Sequence, residues 1–409
     1  MTDKTNISEA LLNRRMLICI FTGFSSGLPL YILISLVPAW LRTEGVDLKS
    51  IGLFALIQLP FTWKFLWSPL FDRFIPPLGR RRGWLIITQI ALLLIIPAFG
   101  YLHPKLDLWS IASLSIIVAF FSASQDIVLD AYRRELLLDD ELGLGNAIHV
   151  NAYKIAGLVP GALSLVLADH LLWSSVYLIT ALFMLPGIAM TLIVNEPELK
   201  GAPKTLRAAV VEPFEEFRSR GIKPALLILA FIFFYKLGDS MATALATPFY
   251  LDMGFSKTEI GLIAKNAGLW PSVIGGLLGG VWMIRLGINR ALWIFGAVQM
   301  IAILGFAWLA VVGHNPIWLA LVIGVEALGV GLGTSAFVAF IARATHPLYT
   351  ATQFALFTSL AAVPRTFANA ATGYLVEWLG WSRFFLLCFF IAIPGMLLLA
   401  KVAPWHQQD

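Results

Sequence analysis

Apolar residues come in runs of about 20, one after another, from residue 16 to residue 401. A helix rising 1.5 Å per residue needs such a run to cross about 30 Å of hydrocarbon. Twelve runs are counted: 16–41, 51–70, 84–102, 109–133, 147–168, 173–194, 223–250, 259–284, 291–312, 317–341, 352–376 and 382–401. A bilayer core offers no water to backbone groups, so each run must satisfy its own hydrogen bonds as a helix. The expected fold class is an all-α membrane protein with twelve transmembrane helices. Charged residues are 13% of the chain, half the share of a soluble domain. The first run lacks a small-residue cleavage site after it, so it is expected as a retained span, not a signal peptide. Cys19 and Cys388, the two cysteines, lie in separate apolar runs, which suggests neither a disulfide framework nor a zinc site.

An even number of spans puts both termini on one side. The loops on the side of the termini hold 19 Lys and Arg; the opposite loops hold five, Arg42, Lys49, Lys105, Lys257 and Arg383. The positive-inside rule makes the richer side, and both termini, cytoplasmic. The net charge of +5 is explained by these loops and does not point to nucleic acid. The longest polar stretch, NEPELKGAPKTLRAAVVEPFEEFRSRGIK, separates six spans from six. The expected organisation is a six-helix half at 1–194, a cytoplasmic loop at 195–222 and a second half at 223–409. Within the loop, LRAAVVEPFEEF has the pattern of a surface amphipathic helix.

The two halves repeat each other. SPLFDRFIPPLGRRRG follows span 2 and GGVWMIRLGINR follows span 8, with Arg73 and Arg285 offset by 212 residues. Arg133 and Arg343 follow spans 4 and 10 at an offset of 210, and Lys154 and Arg365 lie in spans 5 and 11 at 211. Both loops resemble the G-x-x-x-D-R-x-G-R-R loop of the major facilitator superfamily. The first copy carries Ser68 for the leading Gly and an inserted IPPL; the second carries Ile284 for the Asp. Asp72, Arg73, Arg80 and Arg285 are read as structural or gating groups that clamp helix ends, without substrate chemistry.

Setting aside the first and last two residues of each span, nine charged residues fall inside: Lys64, Lys154, Lys236, Lys265, Arg365, Asp126, Asp130, Asp239 and Glu326. Each is costly in hydrocarbon and is a functional candidate by that cost. Asp130, one turn from the end of span 4, is expected to fasten helix ends through Arg133 or Arg134. Asp126 lies a turn deeper, level with Lys154 and Lys64, either of which would serve as partner. Gln125 adds a polar contact. Lys236 and Asp239 are spaced to share one face of span 7. Glu326 sits among glycines in GVEALGVGLGTS, a pattern for close helix contact. Carboxylates in low dielectric favour the neutral form, which suits reversible protonation. Arg365 offers a fork for a carboxylate, and Lys265 and Asn266 lie near the periplasmic end of span 8. Trp63, Trp67 and Trp270 stand near these groups, although most Trp residues in such chains are interfacial anchors.

GFSSGLPL, KFLWSPLFDRFIPPLGRRRGW, SASQDIVLDA, GTSAFVAF and ATQFAL resemble the muropeptide permease (AmpG) family of the major facilitator superfamily. The resemblance runs through all twelve spans. It implies the superfamily fold, two six-helix halves about a central site, and import of anhydromuropeptides (GlcNAc-anhydroMurNAc with or without a peptide) driven by the proton gradient. It also implies a part in peptidoglycan recycling and β-lactamase induction, hence β-lactam resistance. Asp126, Asp130, Asp239, Lys265, Glu326 and Arg365 match the family's charges, and Lys154 stands where the family can have Arg. Better-known members carry two further spans. On this reading Lys154 and Arg365, with Lys64 or Lys265, bind the solute's carboxylates, aided by Gln125 and Asn266. Asp126, Asp239 and Glu326 carry the protons. The expected partners are a small anionic glycopeptide, protons and lipid, with the chain acting as a monomer in the bacterial inner membrane. No cofactor or metal is expected. A ferric-siderophore permease is the alternative, and a non-transporting sensor a more distant one, since PWHQQD is too short for an output domain. An enzyme is disfavoured: no nucleophile–base pair, metal cluster or phosphate loop stands out.

Overall fold

A computed structural model describes residues 13–46, 57, 59–196, 211–212, 215–216, 219, 221–255, 259–346 and 349–406; within these, the side chains at 42, 247, 251, 261, 265 and 363–371 lie outside the description. Every regular element among the described residues is helical. Among the described residues, nine helices are long and apolar enough to cross a membrane. They are α1 (Arg14–Leu41), α3 (Arg80–Tyr101), α4 (Leu108–Leu136), α5 (Asp139–Ala168), α6 (Trp173–Ile193), α7 (Ile222–Ala244), the run Leu262–Val312, α10 (Pro316–Ala344) and α12 (Trp381–Val402). The run Leu262–Val312 is two helices, because Gly287 interrupts it with φ 73° and ψ 166°. They are α8 (262–286) and α9 (288–312). Helix α11 is Thr350–Leu379 and continues through Pro364. Helix α2 (59–73) comprises short helical pieces, Leu59–Trp63, Lys64–Leu66 and Ser68–Arg73. The start of the expected second span and most of LRAAVVEPFEEF lie outside the described residues. The order α1 to α12 follows the twelve apolar runs.

Contacts group the chain into two units. The first holds 1–138, 148–213 and 345–359; the second holds 139–147, 214–344 and 360–409. In the first, Leu28, Ile32, Trp40, Phe99, Ile111 and Tyr177 form one apolar cluster. Trp40 and Phe99 both lie against Tyr177, with centroids 5.2 and 5.3 Å away. In the second, Phe249, Phe306 and Phe385 interlock, Phe385 lying 4.8 Å from Phe249 and 5.3 Å from Phe306. Between helices in lipid, close packing rather than exclusion of water drives association, so small residues matter. Gly23 and Gly27 are one turn apart on α1 and face the carbonyls of His149 and Tyr153 on α5. A side chain at Gly27 would run into the Tyr153 carbonyl, which is backbone and cannot swing away. Gly27→Val is expected to cost about 1–3 kcal/mol or more by overpacking, read as lowered thermal stability in detergent.

The signature loops share a bend. Gly79, before α3, has φ 108° and ψ 165°. Gly287, between α8 and α9, has nearly the same conformation and lies 208 residues later. Both φ values are in a region that residues with a Cβ seldom enter.

Candidate functional site

Where α3 begins, charged side chains join the ends of several helices. Arg81 is fully buried and is the hub. Its guanidinium donates to Asp72 Oδ1 at 2.9 Å, to Glu135 Oε1 at 2.6 Å and to the Phe71 carbonyl at 3.2 Å. Asp72 Oδ2 in turn accepts from the N–H and hydroxyl of Thr352, at 3.0 and 2.8 Å, in the first turn of α11. Helix N-termini carry unmet N–H groups and partial positive charge, which a carboxylate satisfies. Glu196, just after α6, caps α3 in the same way, accepting from the N–H of Arg81 at 2.8 Å and of Arg82 at 3.0 Å. Arg82 reaches back to the α6 carbonyls of Thr191 and Leu192 at 3.1 and 2.8 Å. The sequence reading placed the clamp on Asp72, Arg73 and Arg80. Asp72 belongs to it, and Arg80 touches Glu135 at 3.1 Å. Arg73 instead lies beside the Phe74 ring, 5.5 Å from its centroid. Arg81 lies in the same Arg-Arg-Arg run without being singled out as its centre, and Glu135 and Glu196 carry no sequence mark beyond three adjacent cations that need carboxylates at nearby helix ends.

The second copy of this loop makes the matching bond with its polarity reversed. Arg343 donates to Asn289 Oδ1 at 2.5 Å. Asn289 and Arg343 each lie 208 residues beyond Arg81 and Glu135. The cation has moved from the loop to the end of the fourth helix of the half. Trp293 donates to the Ala403 carbonyl at 3.0 Å, so α9 meets the end of α12 as α3 meets the end of α6. Arg285, read from the sequence as a clamp group, is exposed instead; Ile284 stands where a carboxylate would hold it.

Deeper in the first unit a polar layer joins α1, α3, α4 and α6. Asp126 is buried and accepts from Ser26 Oγ at 2.5 Å. Gln125 is also fully buried; its amide donates to Ser25 O and Oγ at 2.8 and 2.9 Å. Gln89 accepts from Thr191 Oγ1 at 3.1 Å. Gln125 therefore links helices here and is not turned to open space. Asp126 was expected to pair with Lys154 or Lys64. Lys64 Nζ is instead 3.7 Å from Asp130 Oδ2, and Arg133 holds Asp130 Oδ1 at 2.8 Å. Asp126 is left with a neutral hydroxyl as its hydrogen-bond partner, while Lys64, Asp130 and Arg133 act on it through space. Lys154 is half-buried on α5, next to Tyr153, whose ring lies 5.8 Å from that of Tyr31.

In the second unit α7 breaks at Lys236, between Ile222–Tyr235 and Leu237–Ala244. Lys236 Nζ donates to Gln299 Oε1 at 3.1 Å and Thr334 Oγ1 at 3.0 Å, and is 4.0 Å from Asp239 Oδ2. The expected Lys236–Asp239 pair is thus present, with two uncharged partners that sequence spacing had not singled out. Glu326 is buried on α10, and Lys236 and Glu326 feel each other electrostatically. Asn266 is exposed and bonds within its own helix, to the Leu262 carbonyl at 2.8 Å. The side chains of Lys265 and Arg365 lie outside the description. Trp67 donates to Ser124 Oγ at 3.0 Å, while Trp63 and Trp270 are half exposed. No cluster of three or more metal-ligating side chains occurs among the described residues.

Long apolar helices among the described residues, a duplicated loop and buried ionisable residues mark a multi-pass membrane protein of the transporter class. The Major Facilitator Superfamily model matches residues 19–369. The crystal structure of the human organic anion transporter MFSD10 superposes with a TM-score of 0.73 over 94% of this chain and 99% of that one, at 16% identity, which bears on the fold alone. An uncharacterised protein of Haemophilus influenzae is 50% identical over 99% of this chain and 98% of its own. The anhydromuropeptide permease of Escherichia coli K12 is 43% identical over 94% of this chain and 79% of its own. The chain belongs to the major facilitator superfamily and, within it, to the family of that permease.

Proposed function

We propose that this protein imports anhydromuropeptides across the bacterial inner membrane, driven by protons, and so serves peptidoglycan recycling and the β-lactam response linked to it. The observation that carries the reading is the 43% identity to the Escherichia coli permease over 94% of the chain. The ferric-siderophore alternative gains no support from these relatives. The buried charges support a carrier of an anionic solute, because groups this costly in a membrane are seldom kept without a task. The solute's carboxylates would be met by Lys154 and Arg365 with Lys64 or Lys265, Asn266 standing at the periplasmic approach. Asp126, Asp239 and Glu326 are the proposed proton carriers. Asp72, Arg80, Asp130 and Arg133 are proposed as structural or gating groups, a role the bonds around Arg81 support, and Arg73 and Arg285 join them by position in the repeat. Both termini are taken as cytoplasmic. The halves are 1–194 and 223–409, joined by 195–222, and the working unit is one chain.

The test is uptake of defined radiolabelled anhydromuropeptides into proteoliposomes, with and without an inward proton gradient. Accumulation only with the gradient is expected. Uptake of a ferric siderophore in preference to the muropeptide would overturn the substrate, and uptake indifferent to the gradient would overturn the coupling.

A further inference from the structure

Two buried polar atoms beside the α7 break have no hydrogen-bond partner among the described residues, Gln299 Nε2 and Asp239 Oδ1. They are of opposite kind, one a donor and the other an acceptor. Their orientation is dictated by chemistry. Lys236 has no acceptor to offer, so the Gln299 amide must turn its oxygen to the ammonium and its NH2 away. Gly333 on α10 leaves the room for that oxygen, since a Cβ there would meet Gln299 Oε1. Asp239 likewise has one oxygen toward Lys236 and the other turned elsewhere.

Gln299 and Asp239 line the same small void, together with Tyr235, Met300, Ala392 and Met396. It has room of about 10 Å³ for the centre of a water molecule. That is the size for one water, which also needs two to four polar partners. The Tyr235 hydroxyl gives its proton to the Leu292 carbonyl at 2.9 Å, which leaves its oxygen able to accept. The remaining walls are apolar, and among the described residues no side chain or backbone group bonds Gln299 Nε2 or Asp239 Oδ1.

We propose that this void binds one water molecule, which accepts from Gln299 Nε2 and donates to Asp239 Oδ1. The water closes a ring of Lys236, Gln299, water and Asp239 between α7 and α9. A larger or apolar ligand is excluded by volume and by the two unmet groups, whose desolvation costs more than immobilising a water. The site is a feature of the fold and stands whether or not Asp239 carries a proton in transport.

Pulsed X-ray radiolysis tests it, because a bound water forms hydroxyl radicals in place and oxidises its neighbours. Met300 and Met396 are expected to be oxidised several-fold faster than Met241 and Met283, buried methionines away from the void. In Gln299→Leu the donor is gone, and the rates at Met300 and Met396 should fall to those of the reference methionines. Ala392→Val fills the void with every polar group kept, and the same fall is expected; labelling from bulk water would not fall. Equal rates at all four methionines in the folded wild-type protein overturn the proposal. So do unchanged rates at Met300 and Met396 in folded Ala392→Val.

Discussion

Replacing Arg81 by alanine is expected to lower the unfolding free energy in detergent by about 3–5 kcal/mol, the cost of leaving the buried Asp72 carboxylate without its cation. Arg81 is fully buried and its guanidinium serves Asp72, Glu135 and the Phe71 carbonyl together. Loss of the side chain strands Asp72, which is itself fully buried and holds the first turn of α11 through Thr352. Arg81→Lys should recover little of this, because an ammonium is a compact donor and cannot span three acceptors set for a planar fork. Arg73→Ala is the contrast. Arg73 rests beside one ring, Phe74, so its loss should cost no more than about 1 kcal/mol. Both arginines stand in the same signature loop, so the comparison separates burial and geometry from loop membership. A loss below about 1 kcal/mol for Arg81→Ala would show that other groups neutralise Asp72 and Glu135.

The fold was legible because a bilayer leaves a chain few choices. Apolar runs of about 20 residues become helices, and the duplicated loop announces the duplicated half. The glycine bends at 79 and 287 are where the repeated loops put them. The irregular elements were harder to read. The break of α7 at Lys236 and the short pieces of α2 leave an apolar run apolar, so hydropathy passes over them. The reversed bond, Arg81 to Glu135 against Arg343 to Asn289, also escapes an offset search that matches cations to cations.

The polar interior was half legible. A charge inside an apolar run is conspicuous, so Asp126, Lys236, Asp239 and Glu326 were all found. Their partners are mostly uncharged: Ser26, Gln299 and Thr334 look ordinary in a membrane helix. Partner choice also depends on rotation about the helix axis. Residues 126 and 130 are one turn apart, yet Lys64 pairs with Asp130 and leaves Asp126 to a hydroxyl. Depth along the span, which sequence gives, does not decide between them.

Glu326→Gln is expected to abolish gradient-driven accumulation while leaving the fold intact. Glutamine keeps the shape of the side chain and its capacity for hydrogen bonds, but it cannot take up or release a proton. Glu326 is buried on α10, with the Lys236 ammonium acting on it through space. Lys236 is already bound to Gln299 and Thr334 and lies near Asp239, so its charge has other partners when Glu326 becomes neutral. A symporter moving one proton per solute converts a gradient of one pH unit into about tenfold accumulation when no membrane potential is present, as 1.36 kcal/mol is a factor of ten. The wild-type protein should approach that ratio in proteoliposomes, and Glu326→Gln should stop near equal concentrations. Exchange of labelled for unlabelled solute at equal pH should survive, because it needs no net proton movement. Loss of exchange as well would move Glu326 from coupling to binding. Accumulation that still follows the gradient would remove Glu326 from the proton path and leave it to Asp126 or Asp239, whose asparagine variants then face the same assay.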